Sequence, residues 1–521
     1  MIQKIGIFAL FKQDFRLKLF WEGTIIGIFV GILIVGFRLA LEKAEIFREQ
    51  IYIFLKTQGA YGLLLLFSML ILIGLFLSYI VDKVPLVGGS GIPQVKGVIQ
   101  REFKVNHPVL LIAGKFSGGI LGIGAGLSLG REGPSIQLGA AMGQLISRNL
   151  GRLKIEEKYL ITCGASAGLA AAFNAPLAGV VFALEEVHKN FSPSILISVM
   201  AASISADVVT QNFFGQHPVF DFQDIQIFPL NYLVCLIGLG IICGLCGALF
   251  NLSLIKSMEL YKMTKIPQKI YPVIPLLAAG VIGLFLPEVL GGGNNLVQTL
   301  SQSDIPMNTI MLLLTVKFIF TMLSYGSGVP GGIFLPLLVL GALTGNIYGH
   351  YVINIMHGNM VYLDNFTVYA MAAYFTAIVK APVTGSILIT EMTGSFHHLL
   401  PLILVSMTAY IAADLLKSKP VYDLLYHRMI AREKRSEIKK EPSGKDVHEF
   451  VVCLGSPLDG KKIKEISWPE DCLLISIKRG ELDIIPSGNT RIKAGDYFYV
   501  LVEEGGIIKY EKLLKLSGGE V

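Results

Sequence analysis

Apolar runs of two lengths, following one another from about residue 23 to residue 416, limit what this chain can fold into. Those near 61 to 81, 228 to 252, 308 to 325 and 332 to 352 reach the roughly 20 residues a helix needs to cross a bilayer. The runs near 135 to 149, 158 to 172, 176 to 188, 366 to 379 and 382 to 393 fall short. In hydrocarbon every backbone N–H and C=O must be paired within the protein, so the short runs read as half-helices whose ends meet inside it. Broken helices of this kind mark transport proteins. The composition agrees, with 53% of residues hydrophobic and 16% charged, against about 25% charged in soluble domains. The expected fold is an all-α polytopic membrane protein carrying a small α/β tail.

Sliding the sequence on itself by a little over two hundred residues brings out an internal repeat. Gly88-Gly89-Ser90-Gly91-Ile92-Pro93 is answered by Gly291-Gly292-Gly293-Asn294-Asn295, and Lys115 by Lys317. The loop Gly130-Arg131-Glu132-Gly133-Pro134 is answered by Gly328-Val329-Pro330-Gly331-Gly332-Ile333-Phe334. Asn174-Ala175-Pro176, with its run ending at Glu185, is answered by Lys380-Ala381-Pro382, with its run ending at Glu391. Matches in the same order at a nearly constant offset argue duplication, with halves at about 20–215 and 225–430. Glycine-rich breaks in corresponding places point to a binding site between the halves.

From Gly114 glycine recurs at Gly118, Gly122, Gly126 and Gly130. That spacing predicts a bare ridge along one helical face, open to the approach of another helix. The ridge ends at Arg131 and Glu132, and Gly133 with Pro134 is expected to interrupt the helix. A new helix starting after Pro134 turns free N–H groups and its positive dipole end toward an anion. Glu132 is then an ionisable group at a helix break in an apolar chain, a functional candidate; the plainer reading is a capped surface loop. Ser90, between glycines and ahead of Pro93, is either an N-cap or a hydroxyl facing a ligand. The matching glycine loops favour the ligand. Ile333 and Phe334, after Pro330-Gly331-Gly332, offer backbone N–H groups.

Glu185 and Glu186 close an apolar run ahead of His188 and Lys189. They either mark a helix reaching water or supply one end of a proton path whose other end is Glu132. His188, His397 and His398 sit at the edges of runs without metal spacing, and no metal or cofactor is expected. Cys243-Gly-Leu-Cys246 has redox-motif spacing but no polar or basic neighbour to activate a thiolate, so it reads as helix packing.

Lys4, Lys12, Arg16 and Lys18 precede the first run, and Lys417, Lys419, Arg428, Arg432, Lys434 and Arg435 follow the last. By the positive-inside rule both termini are cytoplasmic. These clusters flank spans and lack interleaved aromatics, so they are not read as a nucleic-acid surface. The run from about 23 to 40 is long enough to remain as a span, and no cleavable leader is evident.

Residues 431–446 read as a charged linker, and 447–521 as a soluble domain with β-type runs near 449 to 454, 472 to 478, 481 to 486 and 496 to 502 and a helix near 506 to 516. Gly455-Ser-Pro-Leu-Asp-Gly460-Lys461 nearly spells a phosphate loop, but Lys462 replaces the Ser or Thr that would hold magnesium. No nucleophile and base pair with recognisable spacing accompanies the carboxylates, so an enzyme is not expected.

With these motifs on the page, the chain resembles the CLC family of chloride channels and proton-coupled chloride transporters. Gly-Ser-Gly-Ile-Pro at 89 to 93, Gly-Arg-Glu-Gly-Pro at 130 to 134 and Gly-Val-Pro-Gly-Gly-Ile-Phe-Leu-Pro at 328 to 336 carry the resemblance, which spans about residues 20 to 430. It implies a transport domain over residues 1–430 of two inverted halves with many tilted and broken helices, a homodimer, and one pore per subunit in the inner membrane. It also assigns a central chloride to the hydroxyls of Ser90 and Tyr422 and the amides of Ile333 and Phe334. Glu132 becomes the gate where proton and chloride compete, and Glu186 the internal proton-transfer residue of the exchanging branch. Ser90, rather than Pro, resembles chloride-preferring members, and fluoride exporters depart from this first motif. The tail, through Ile477-Lys-Arg-Gly-Glu-Leu-Asp-Ile-Ile-Pro-Ser-Gly-Asn-Thr490, resembles the TrkA-C (RCK-C) domain, which implies a small cytoplasmic ligand or a dimer contact.

The expectation is a chloride/proton antiporter. Its nearest alternative is a passive chloride channel of the same fold, in which Glu132 gates and Glu186 carries no proton. A cation-uptake system suggested by the tail would need carbonyl filters or acidic rings, whereas these motifs offer donors.

Overall fold

The computed structural model describes residues 2–189, 193–220, 222, 225–229, 232–302, 305–437, 445–453, 455–469, 472–479, 482–503, 512–514 and 516–518. The chain forms two units, Met1–His427 and Arg428–Val521.

The first unit is helical. Its elements begin with α1 (Ile2–Thr57), α2 (Gly59–Lys83), α3 (Ile92–Ile99), α4 (Pro108–Gly124), α5 (Glu132–Asn149) and α6 (Lys154–Phe173). Next comes α7 (Pro176–Phe182), which continues as one turn of π-helix, Ala183–His188, and then α8 (Pro193–Phe214). The same kinds of element return in α9 (Leu233–Met263), α10 (Val273–Phe285), α11 (Asn294–Gln302), α12 (Met307–Gly326), α13 (Phe334–Ile355), α14 (Leu363–Val379), α15 (Pro382–Thr393), α16 (Leu399–Leu415) and α17 (Val421–Glu437). Among the described residues eight helices are long and apolar enough to cross a membrane. By contrast α7 and α15, in the short runs near 176 to 188 and 382 to 393, have only 7 and 12 residues, as expected of half-helices. The short runs near 135 to 149, 158 to 172 and 366 to 379 lie instead in helices of 18, 20 and 17 residues, because polar residues at their ends extend them. Helices α3 and α11, of 8 and 9 residues, lie outside every apolar run.

Proline sets several helix starts: Pro93, Pro108, Pro176 and Pro382 lie at the first or second helical position, where a missing N–H costs nothing. Two starts differ from the sequence reading. The helix after the Glu132 loop begins at Glu132 itself, because Pro134 falls in the first turn, where its N–H has no intrahelical acceptor to lose. The first helix runs from Ile2 to Thr57, well beyond the apolar run at its centre.

The glycine ridge also departs from expectation. Helix α4 stops at Gly124, so Gly126 and Gly130 lie beyond it. The face with Gly118 and Gly122 receives a loop rather than a helix, since a β-carbon on either would stand 2.8 Å from Pro330 Cγ or Val329 Cγ1. Close helix approach occurs instead between α5 and α6. A β-carbon on Gly139 would lie 2.1 Å from the Gly164 carbonyl, and one on Gly164 would lie 2.1 Å from the Gly139 carbonyl. In a membrane such backbone-to-backbone packing is what small residues permit.

Helix α13 sits at the centre, with Phe334, Leu337, Leu338, Leu340 and Leu343 all fully buried, as expected of a helix apolar all round. Large apolar side chains such as Trp21, Phe29, Leu72 and Phe285 face outward, and a bilayer covers such surface.

In the second unit a four-stranded antiparallel sheet has the order β1-β4-β2-β3, with β1 Lys445–Val451, β2 Cys472–Arg479, β3 Leu482–Ile484 and β4 Tyr497–Glu503. Phe450, Ile477, Phe498, Val500 and Leu513 form its core. Arg479 holds the buried Asp496 through two bonds, Nε to Oδ1 at 2.7 Å and Nη2 to Oδ2 at 2.8 Å. Residues 455 to 461 form turns, not the strand–loop–helix of a phosphate site. The expected linker is partly structured: α17 extends through residue 437 and β1 starts at 445, while 438–444 lie outside the described residues. Of the helix expected near 506 to 516, residues 512–514 and 516 are helical and 504–511 and 515 lie outside the described residues.

Candidate functional site

Three glycine loops from distant parts of the chain are bonded into one node. The Gly89 N–H donates to the carbonyls of Gly328 (3.3 Å) and Val329 (3.2 Å), and the Gly331 N–H to that of Gly89 (3.0 Å). Gly130 and Gly332 exchange both backbone bonds, at 2.7 and 2.8 Å, as an isolated antiparallel bridge. They hold corresponding places in the repeat, at the offset that also relates Lys115 to Lys317.

Buried lysines hold the loops in matching fashion. Lys115 Nζ donates to the carbonyls of Val87 (2.9 Å) and Gly89 (2.7 Å), and Lys317 Nζ to those of Val289 and Gly291 (both 2.8 Å). Both loops need glycine for the same reason: Gly89 and Gly91 have φ of +70° and +104°, Gly291 and Gly293 +65° and +97°, the left-handed region open to glycine.

Glu132 is fully buried at the start of α5, and its carboxylate has no side-chain partner among the described residues; the N–H groups that face it are the backbone ones of Glu132 and Leu335. It folds back toward the N-terminus of α13: a β-carbon on Gly130 would stand 2.2 Å from Glu132 Oε2 and 3.0 Å from Leu335 N. Helix α13 begins at Phe334 with Ile333 as its cap, so the first N–H groups lack intrahelical acceptors and carry the positive end of the dipole. Ser90 packs against the same node, since a β-carbon on Gly133 would lie 2.6 Å from both its carbonyl oxygen and its Oγ. The Ser90 hydroxyl is buried and without a partner, and the N-cap of α3 is Gly91 rather than Ser90. Tyr422, second residue of α17, is fully buried with an unpartnered hydroxyl. Its ring meets Phe182 edge-on at 6.4 Å, and Phe182 meets Phe334 at 6.2 Å. The structure thus gathers Ser90, Glu132, Ile333 and Phe334, and joins Tyr422 to them through Phe182.

The two adjacent acids of the π-turn do different things. Glu185 Oε2 accepts from the N–H (2.8 Å) and hydroxyl (2.6 Å) of Thr384 in the first turn of α15. Reciprocally, Glu391 accepts from the N–H groups of Leu177 (3.0 Å) and Ala178 (2.7 Å) in the first turn of α7. Glu186 turns inward and is buried, with Lys96 Nζ 3.5 Å from Oε1. Lys96 also pairs with Asp423, whose Oδ2 accepts from Lys189 at 2.8 Å. Sequence reasoning missed Lys96 and Asp423. The available signals were a lysine inside the first glycine motif's helix and an acid directly after Tyr422.

A cavity of about 650 Å³ opens beside the node, reaching Arg131, Gly292 and Leu335 and lined further out by Glu42, Glu45, Arg48 and Glu288. His188 and His398, given no role, bond through Nδ1 to Thr162 Oγ1 (3.0 Å) and to the Tyr369 hydroxyl (2.8 Å).

Residues 73–414 match the family described as voltage gated chloride channel, and residues 447–515 the TrkA-C domain. A curated relative from Vibrio cholerae, named H(+)/Cl(-) exchange transporter ClcA, is 34% identical over 442 residues, covering 81% of this chain and 92% of that protein. Among solved structures, a slow cyanobacterial Cl-/H+ antiporter superposes with a TM-score of 0.77 at 27% identity, covering 80% of this chain and 99% of that one. A CLC-type fluoride/proton antiporter superposes with a TM-score of 0.61 at 24% identity, covering 76% of this chain and 95% of that one, and shows the shared fold alone.

Proposed function

The chain belongs to the voltage gated chloride channel family, and on that premise we propose that it exchanges chloride for protons across a cell membrane. The observation that carries this reading is the set of buried polar atoms without side-chain partners around one node: the hydroxyls of Ser90 and Tyr422 and both oxygens of Glu132. Buried polar groups are ordinarily paired. Two hydroxyls and the first amides of α13 are all donors, a set suited to an anion. Relatives that carry the exchanger name support antiport over the passive channel.

The central chloride is held by the Ser90 and Tyr422 hydroxyls and the Ile333 and Phe334 amides. The ionised Glu132 carboxylate, lying over Gly130 near Leu335 N, takes the next anion position itself. Protonated, it loses its charge and its attraction to the amides, and chloride replaces it. Glu186 receives or delivers the proton at the other end of the path, where the charged neighbours Lys96, Asp423 and Lys189 favour water access.

Residues 1–430 are the transport domain, with inverted halves of about 20–215 and 225–430, a reading supported by the Gly130–Gly332 bridge and the reciprocal Glu185 and Glu391 caps. Lysines and arginines flanking the first and last spans support cytoplasmic termini in the inner membrane. The protein is read as a homodimer whose 447–521 domain takes a small cytoplasmic ligand. Light scattering of the detergent-solubilised protein checks the first, and effector-dependent flux with and without the tail the second.

The test uses full-length protein in liposomes with voltage controlled and a chloride gradient imposed. Wild type is expected to drive protons uphill, and Glu132→Gln and Glu186→Gln to move chloride without protons. Chloride flux in wild type without proton movement would leave a passive channel and overturn the reading.

A further inference from the structure

Helix α3 connects two places that the exchange reading treats separately. Ser90 lies just before it, and Lys96 is four residues beyond its first residue Ile92, about 6 Å along the axis. Lys96 is only 2% exposed, and its ammonium is shared between Glu186 Oε1 at 3.5 Å and Asp423 Oδ1. The second oxygen of Asp423 holds Lys189 at 2.8 Å, and Lys189 follows the π-turn that carries Glu186. Asp423 adjoins Tyr422 near the start of α17. One carboxylate therefore fastens the Tyr422 helix both to the Ser90 helix and to the Glu186 turn. Two ammonium groups and two carboxylates balance in charge. Lys96 and Glu186 are buried, Asp423 is half-buried and Lys189 is exposed, so the buried pair reaches solvent through Asp423 and Lys189.

We propose that Lys96 and Asp423 are positioning residues that link the proton path to the anion path, an inference that rests on the exchange reading above. Lys96 orients the Glu186 carboxylate for proton transfer, and its bridge to Asp423 sets where Tyr422 stands. With Glu186 ionised, the ammonium is divided between two carboxylates. When Glu186 gains a proton, Asp423 holds the ammonium alone and the clasp beside Tyr422 tightens. Lys189, on the other oxygen of Asp423, keeps that carboxylate in place through both states.

The experiment measures the proton-to-chloride ratio and the chloride turnover of full-length protein in liposomes, for wild type, Lys96→Met, Lys96→Arg, Asp423→Asn and the Lys96→Met/Asp423→Asn pair. Thermal unfolding in detergent is run on each, so that only folded variants are compared, and the near-isosteric Asp423→Asn stands in if Lys96→Met does not fold. Lys96→Met and Asp423→Asn are expected to lower the ratio roughly tenfold, the scale for losing one member of a charge network, and the double variant no further. Lys96→Arg keeps the charge and is expected to keep most of the ratio. A wild-type ratio in Lys96→Met or Asp423→Asn, or an equal loss in Lys96→Arg, overturns the clasp while exchange stands. Wild type that moves chloride without protons overturns the exchange reading and the clasp with it.

Discussion

Glu132 lies over Gly130 so closely that a β-carbon on Gly130 would stand 2.2 Å from its Oε2. The glycine provides the floor on which the carboxylate rests. In Gly130→Ala the flexible carboxylate is the group that moves most, while Leu335 N at 3.0 Å and Leu335 Cβ at 3.1 Å must give by a few tenths of an ångström. This variant is expected to fold, to pass chloride faster than wild type and to lose part of its proton movement, by roughly two- to tenfold for a shift of about 0.5–1.4 kcal/mol in the gate. Paired chloride and proton flux measurements check it; unchanged flux and ratio would mean that the carboxylate does not rest there.

Gly133→Ala meets a different neighbour. Its β-carbon would lie 2.6 Å from both the carbonyl oxygen and the Oγ of Ser90 and 3.2 Å from Gly332 Cα, so backbone rather than a free side-chain end must yield. Overpacking of this kind costs about 1–3 kcal/mol. The expected result is a lowered unfolding temperature together with chloride flux reduced roughly tenfold or more through displacement of Ser90. Retained chloride flux at wild-type rate would remove Ser90 from the pathway.

Neighbouring acids separate cleanly in prediction. Glu185 caps α15 and Glu391 caps α7, so Glu185→Gln and Glu391→Gln are each expected to cost about 0.5–2 kcal/mol of stability. Their proton-to-chloride ratios should stay near wild type. Glu186→Gln is expected to show the reverse pattern, with stability kept and proton movement lost. A ratio that collapses in Glu185→Gln would exchange the roles of the two residues.

Lys115 and Lys317 make the same pair of bonds in the two repeats. Lys115→Met and Lys317→Met should therefore destabilise by similar amounts, about 1–3 kcal/mol for buried carbonyls left without their donor. Unfolding by heat in detergent, compared within one preparation, tests the equality. A loss confined to one of them would show that the two loops are not held equivalently.

Much of the site is legible in the sequence. Apolar run lengths announced broken helices, and the glycine landmarks announced a duplication whose members meet, as Gly130 and Gly332 do. The failures have local causes. The four-residue glycine spacing predicts one helical ridge, but spacing says nothing about where a helix stops, and α4 ends before Gly126. Pro134 predicts a break, though in a first turn proline breaks nothing. Helices α3 and α11 lie outside the apolar runs because they are short and rich in glycine and polar neighbours, and only the N-cap reading of Ser90 implies a helix at α3.

The sequence by itself determined the membrane class, the repeat and the residues offered at its glycine-rich loops, because each follows from chain-local rules of hydrogen bonding and helix length. Only the tertiary structure decided which broken ends face each other. It set Glu185 outward as a cap and Glu186 inward beside Lys96, and it brought Asp423 from the far end of the transport unit onto the same ammonium. Those pairings join residues far apart in the chain, Lys96 and Asp423 by 327 positions, and they exist because buried polar groups must find partners wherever the packed helices deliver them.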